Sequence, residues 1–286
     1  MAATARRIAE LGDYSVRVER AGRDEIGDLA RGFNRMVPAL EEQLRVKRDL
    51  YVAQEIQQHL IPATPPEIKG HDIAGRTIYC DETGGDYQDY MPLDGDNYAV
   101  VVGDVTGHGV GAALLMVSAR ALMRANLAHH KSPDKLLASI NRQLSEDSSG
   151  GRSLTLFYLQ LKASSRDIDW ISAGHEAALV FDPKKDAFTL LEGEDIPLGV
   201  DADWTFTSRT ETLPEGGVMV VYTDGLREAR NGDGVEYGLD RLQAVIKRGH
   251  PAGSDALIDA IFKDLETFRD GTPAIDDISV VVIRPV

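Results

Sequence analysis

The chain has 286 residues, 43% of them hydrophobic and 27% charged, enough for one large domain and something smaller or for two modest domains, and wholesale disorder is excluded. Lys and Arg number 31 against 46 Asp and Glu, a net charge of −15, so the surface suits divalent cations or basic proteins rather than nucleic acid. The single cysteine, Cys80, excludes an internal disulfide and any multi-cysteine zinc site, and no signal peptide or run of ~18–20 apolar residues is recognisable.

Up to about Leu60 the pattern is helical. Ile8–Leu11 reads as a helix end stopped by Gly12, Tyr14–Val18 as a short extended piece, and Asp24 and Glu25 as the acidic first turn of a second helix. Its apolar positions Ile26, Leu29, Phe33, Met36, Leu40 and Leu44 recur every three or four residues, a stripe of the kind that pairs two helices. A second stripe, Val46, Leu50, Ala53, Ile56 and Leu60, is out of phase with the first, so the apolar face rotates between them. Pro38 implies a bend or a break into two helices, and Ile61–Pro66 stops the helix.

Beyond this point strands and helices alternate. Strands are expected at Asp72–Cys80, Asp86–Met91, Tyr98–Val102, Leu154–Leu161, Asp169–Ser172, Ala178–Phe181, Phe188–Leu191, Thr205–Thr210, Val218–Tyr222 and Ile278–Arg284. Helices are expected at Val110–His129, Pro133–Ser145, Leu239–Lys247 and Ser254–Phe268. Asp94-Gly95 and Asn231-Gly232 read as hairpin turns. Most strands follow one another directly, which points to antiparallel sheets with helices grouped outside, not to a doubly wound parallel sheet.

Four segments place aspartates beside strands: Gly84-Gly85-Asp86-Tyr87, Gly103-Asp104-Val105-Thr106-Gly107-His108-Gly109, Thr223-Asp224-Gly225 and Asp276-Asp277-Ile278. Apolar strands bury their middles and deliver their ends to a common edge. Uncompensated carboxylates meeting there repel, and a hard cation with oxygen ligands, Mg²⁺, Mn²⁺ or Ca²⁺, is the simplest neutralisation. Taken singly, each segment reads more readily as a turn; the four in this order are the specific signal. No Gly-Lys-Ser/Thr follows Gly103–Gly109 and no Gly-x-Ser-x-Gly occurs, so a P-loop and a nucleophile elbow are both absent. His108 and His175 are candidate bases or ligands, or simply hydrogen-bonded structural residues.

In order and spacing, these segments resemble the PPM (PP2C-type) metal-dependent protein phosphatases of the SpoIIE/RsbU-like branch. Gln54–Pro62, Gly84–Asp89, Gly103–Met116, Ser172-Ala173-Gly174-His175, Pro197-Leu198-Gly199, Tyr222–Ala229 and Asp276–Ser279 carry the likeness, which covers about Tyr51 to Val286; Ser153-Leu154-Thr155 stands where the family has Phe-x-Thr. Gly12–Val18 and Asp24–Met36 resemble the connector and second helix of a HAMP signalling domain.

The resemblance implies an α/β sandwich of two antiparallel sheets flanked by helices. A partial HAMP domain at 1–47 and a linker helix at 48–66 would precede a phosphatase domain at 67–286. It also implies that Asp86, Asp104, Asp224 and Asp276, with Asp277 and the Val105 carbonyl as further ligands, bind two Mn²⁺ or Mg²⁺ ions that activate water for in-line attack. Thr106 stands where the eukaryotic-like branch has a histidine, and His108 is given no acid role.

The implied activity is dephosphorylation of phosphoserine or phosphothreonine on a STAS-type anti-sigma-factor antagonist or similar partner-switching protein. The implied setting is a homodimer on the cytoplasmic side of a bacterial inner membrane, anchored only through an upstream segment. The alternatives are a pseudophosphatase and a dimerising relay, each docking the partner without turnover.

Overall fold

The computed structural model describes residues 2–19, 24–62, 64–130, 132–147 and 151–286; Ala63, within the expected helix stop, lies outside them. Two units are resolved by their internal contacts, Met1–Glu55 and Ile56–Val286, and the boundary falls inside the expected linker helix.

In the first unit, α1 (Ala2–Leu11) ends as the sequence implies. Gly12 adopts φ +61° and its N–H closes on the Ile8 carbonyl at 3.0 Å. The extended piece Tyr14–Val18 joins no sheet. Instead the Asn34 side chain accepts the Val18 N–H at 2.8 Å and donates to the Val18 carbonyl at 3.1 Å. Asp24 caps α2 (Glu25–Leu60) by accepting the Gly27 N–H at 2.8 Å. This helix runs through Pro38 over 36 residues, so a break into two helices is excluded. Ile26, Leu29, Met36, Leu40 and Leu44 of the first stripe are exposed, and Phe33 is half-buried.

In the second unit the strands are β1 (His71–Ile78), β2 (Tyr87–Pro92), β3 (Tyr98–Val105), β4 (Leu154–Leu161), β5 (Asp167–Ala173), β6 (Ala178–Asp182), β7 (Ala187–Leu191), β8 (Arg209–Thr212), β9 (Val218–Tyr222) and β10 (Ile278–Pro285). They form two five-stranded sheets, ordered β1-β10-β9-β6-β7 and β2-β3-β4-β5-β8, and every strand pair is antiparallel. The helices are α3 (Val110–Leu127), α4 (Pro133–Asp147), the short α5 (Asp224–Glu228), α6 (Leu239–Gly249) and α7 (Ser254–Arg269).

Alternation along the strands creates three apolar layers. In β3, Ala99, Val101 and Val105 face α3 and α4, where they meet Ala112, Met116, Met123, Leu136 and Ile140. Val100 and Val102 face the other way, into an inter-sheet layer with Phe157, Met219, Val221 and Val281. Val220, Val280 and Val282 turn outward beneath Leu242, Ile246, Ile258 and Ile261 of α6 and α7. The result is the expected layered sandwich, helices outside two antiparallel sheets.

Three local readings need correction. The strand expected at Thr205–Thr210 is observed as β8 at Arg209–Thr212. Its polar residues hydrogen-bond across to β5, while Phe206 leaves the sheet for the helix-side core. The Asp-Gly pair after β9 is not a turn: Asp224 opens α5. Finally, α3 is long and apolar enough to cross a membrane, contrary to the reading that no segment is. Here Ala112, Met116, Ala119 and Met123 pack in the helix-side core, which makes it a core helix.

Candidate metal centre

One end of the sandwich collects acids from both sheets. Tyr87 pairs with Gly103, which sets Asp86, just before β2, beside Asp104 near the end of β3. In the other sheet Tyr222 pairs with Val280, and the Thr223 N–H donates to the Ser279 carbonyl at 3.0 Å. That register brings Asp224, at the start of α5, next to Asp276 and Asp277, just before β10. The strand pairing therefore gathers all five candidate aspartates.

Their environments differ. Asp86 is buried, and Thr223 Oγ1 donates to its Oδ2 at 2.9 Å. Burial, then the charges of Asp104 and Asp277, hold its carboxyl well above the usual range. Asp104 is pushed up to about 8 by burial and by Asp224, Asp276 and Asp277. Asp224 is raised by burial, then by Asp276, Glu228 and Glu176. Asp276 is raised chiefly by burial, with Asp277 adding to it.

Asp277 does something different. It is buried, its Oδ1 accepts the Cys80 N–H at 2.9 Å, and its Oδ2 accepts the N–H groups of Gly85 at 2.8 Å and Asp86 at 3.5 Å. Its carboxylate thus anchors the loop that carries Asp86.

The glycines leave space for these approaches. A Cβ on Gly85 would lie 2.8 Å from the Val105 carbonyl oxygen, and one on Gly225 would lie 2.0 Å from the Asp277 carbonyl oxygen.

The donor set fits a hard divalent cation. Among the described residues, none of the five carboxylates forms an ion pair with Lys, Arg or His; the nearby His108 bonds Asp81 instead, at 2.9 Å. Nor do three His, Cys, Asp or Glu side chains among them close round one point. An ion here would be held by one or two carboxylates, with carbonyl and water oxygens completing the shell, as Mg²⁺ and Mn²⁺ accept.

His175 is buried and bonds Thr155 Oγ1 at 2.9 Å, while Thr155 Oγ1 lies 3.3 Å from the Asp104 carbonyl. Burial pushes the His175 imidazole down to about 4, so it is neutral. The sequence does place Thr155 in Ser153-Leu154-Thr155, which resembles the phosphatase family's Phe-x-Thr segment without its aromatic, but it singles out neither Thr223 nor the anchoring use of Asp277. Only the pairing of β3 with β4 and of β9 with β10 puts these side chains beside the acids.

Two antiparallel sheets between helix layers, with acids gathered at one end, define a PP2C-type (PPM) protein serine/threonine phosphatase domain. The chain belongs to the family Stage II sporulation protein E (SpoIIE), matched over residues 94–286, and residues 1–42 match the HAMP domain.

The phosphoserine phosphatase RsbU of Bacillus subtilis is 25% identical over 242 residues, 85% of this chain and 71% of that protein. The chain spans about half the length of two other relatives, protein IcfG of Synechocystis (48%) and the phosphoserine phosphatase RsbP of Bacillus subtilis (47%).

Among solved structures, the SiaA-PP2C domain of Pseudomonas aeruginosa superposes with a TM-score of 0.73 at 21% identity, covering 85% of this chain and 98% of that one. The RsbU and RsbW domains of Rv1364c from Mycobacterium tuberculosis superpose with a TM-score of 0.65 at 28% identity, covering 79% and 62%.

Proposed function

We propose that this protein hydrolyses phosphoserine or phosphothreonine on a STAS-type or similar partner-switching protein, under control of a membrane-linked sensor. The observation that carries the reading is the gathering of Asp86, Asp104, Asp224 and Asp276 at one end of both sheets without a cationic partner among the described residues.

Those four carboxylates, with the Val105 carbonyl, would hold two Mn²⁺ or Mg²⁺ ions. When bound, such ions supply an activated water and neutralise charge building on the phosphate. The chain's own residues do the positioning. Thr223 orients the Asp86 carboxylate, Asp277 fixes the backbone that carries it, and the opening of α5 presents Asp224. In this reading Asp277 acts first as an anchor and only second as a ligand.

The HAMP domain and the exposed stripe Ile26–Leu44 support a homodimer through α2, and the same domain supports membrane linkage through an upstream segment. The test is hydrolysis of p-nitrophenyl phosphate, and then of a phosphorylated STAS-type protein, by purified protein. Activity should vanish in EDTA and return with Mn²⁺ or Mg²⁺. Full turnover in metal-free protein would refute the metal reading. No turnover at any metal concentration would favour the docking or relay alternatives.

A further inference from the structure

Gln57 lies in the last turn of α2 and is 3% exposed. Its side-chain amide takes both polar groups of one distant residue. Nε2 donates to the Gly84 carbonyl at 2.6 Å, and the Gly84 N–H donates to Oε1 at 3.2 Å. One turn on, the Ile61 N–H bonds the Gln57 carbonyl at 3.3 Å, and the Ile61 side chain is buried in the core with Tyr87 and Val105. The position of the Gln57 amide is therefore set by the domain core.

Gly84 has no slack on its other side. A Cβ there would lie 1.9 Å from Asp277 Oδ2 and 2.3 Å from Tyr79 Cδ1. The Gly84-Gly85-Asp86 segment is thus held by two agents of different kind. The Asp277 carboxylate takes the N–H groups of Gly85 and Asp86, and the neutral Gln57 amide takes both ends of Gly84. Two consecutive glycines are the least restrained dipeptide in a chain. Without the amide, Gly84 and Gly85 regain freedom that cation binding must then remove, and the carboxylate they lead into is presented less uniformly.

We infer that Gln57 is a positioning residue for the metal centre: by gripping both peptide groups of Gly84, it fixes where Asp86 offers its carboxylate. The inference rests on the two-cation reading above. It makes divalent-cation affinity a property of the last turn of α2 as well as of the carboxylates themselves. Groups that orient a ligand from behind typically change metal affinity or activity by about 10–100-fold when removed.

The test uses the full chain with Gln57→Met, which keeps length and volume but neither hydrogen bond. Gln58→Met, at the exposed neighbouring position, is the control. Mn²⁺ affinity is read from thermal shift across a MnCl₂ titration, and loop order from amide hydrogen exchange in the metal-free protein.

Gln57→Met should raise the apparent Mn²⁺ dissociation constant about tenfold or more and speed exchange across residues 79–86. Protection of β3 and β4 should stay at the parental level, and turnover at saturating Mn²⁺ should recover most of the parental value. Gln58→Met should change none of these. Parental affinity and parental loop exchange in Gln57→Met would overturn the inference and leave the metal reading intact. Loss of protection spread evenly over all strands would mark Gln57 as a general stability residue and also overturn it. A parent with no Mn²⁺-dependent shift would overturn both.

Discussion

Asp104→Asn separates what the acids do for the fold from what they do for chemistry. In the metal-free protein, burial and three neighbouring aspartates push the Asp104 carboxyl up to about 8. Its ordinary value lies near 4, so the folded state binds a proton that the unfolded chain has already released at neutral pH. A group raised in the fold contributes stability that is full at low pH and is lost as pH rises. The loss starts above pH 4 and continues up to about pH 8.

At pH 7.5 the ceiling on that loss is on the order of 5 kcal/mol. Asp104 is only half-buried, and solvent screening leaves about 2 kcal/mol. Asparagine has no charge to repel. In EDTA at pH 7.5, Asp104→Asn should therefore melt above the parent, by about 4–8 °C at the usual 2–4 °C per kcal/mol for a domain of this size. The gap should shrink toward pH 5.

Adding Mn²⁺ at about 100 times its dissociation constant should stabilise the parent by about 2.7 kcal/mol and reverse the order, because the variant lacks one of the proposed ligands. Turnover of the variant should fall at least about 100-fold. Differential scanning fluorimetry with and without EDTA measures the first two effects. A variant less stable than the parent in EDTA, or one with an equal Mn²⁺ shift, would refute the argument.

Asp276→Asn should lower turnover more than Asp277→Asn, since both oxygens of Asp277 are already engaged by backbone N–H groups; steady-state assays giving the reverse order would exchange their roles. Gly225→Ala should cost at least about 3 kcal/mol in urea unfolding, because the new methyl would sit 2.0 Å from the Asp277 carbonyl oxygen; an unchanged midpoint would show that α5 can shift freely. His175 is held neutral by burial at about 4, so its contribution declines as pH falls below about 6.5 and is lost by about pH 4, in all about 3 kcal/mol. His175→Gln should remove that share of the acid sensitivity, and parallel urea midpoints between pH 7.5 and 4.5 would contradict it. Replacing Phe33 and Leu40 by Asp should give a monomer in sedimentation, and a parent already monomeric at high concentration would rule out pairing through α2.

The sheets were legible because their strands follow period two and are separated by clear turns. Leu154–Leu161 and Val218–Tyr222 are observed with the limits expected, and the Asp94-Gly95 turn joins β2 to β3, with Gly95 at φ +71°. The acids were legible because each adjoins an apolar run that fixes its place in the sandwich.

The supporting residues were legible only as sequence likeness. Thr155 and Gln57 stand in Ser153–Thr155 and Gln54–Pro62, segments that resemble the phosphatase family's, and Thr223 in none that was read as supporting; what each of them bonds, 51, 27 and 137 positions away, no local pattern encodes. β8 was misplaced because Phe206 looks like strand material although it is buried by leaving the sheet. α5 was missed because its five residues are too few to show a helical period.

The centre is assembled across a seam. Asp86 and Asp104 belong to one sheet, Asp224 and Asp276 to the other. Between the sheets lie Val102, Phe157, Met219, Val221 and Val281, all apolar and buried. That layer acts as a shim: its thickness sets how far apart the two pairs of oxygens stand. Trimming or swelling a side chain there moves one pair against the other as rigid halves, while each acid keeps its attachment to its own sheet. Drift in these wholly buried positions thereby reaches the spacing of the proposed cation centre without changing any of its acids.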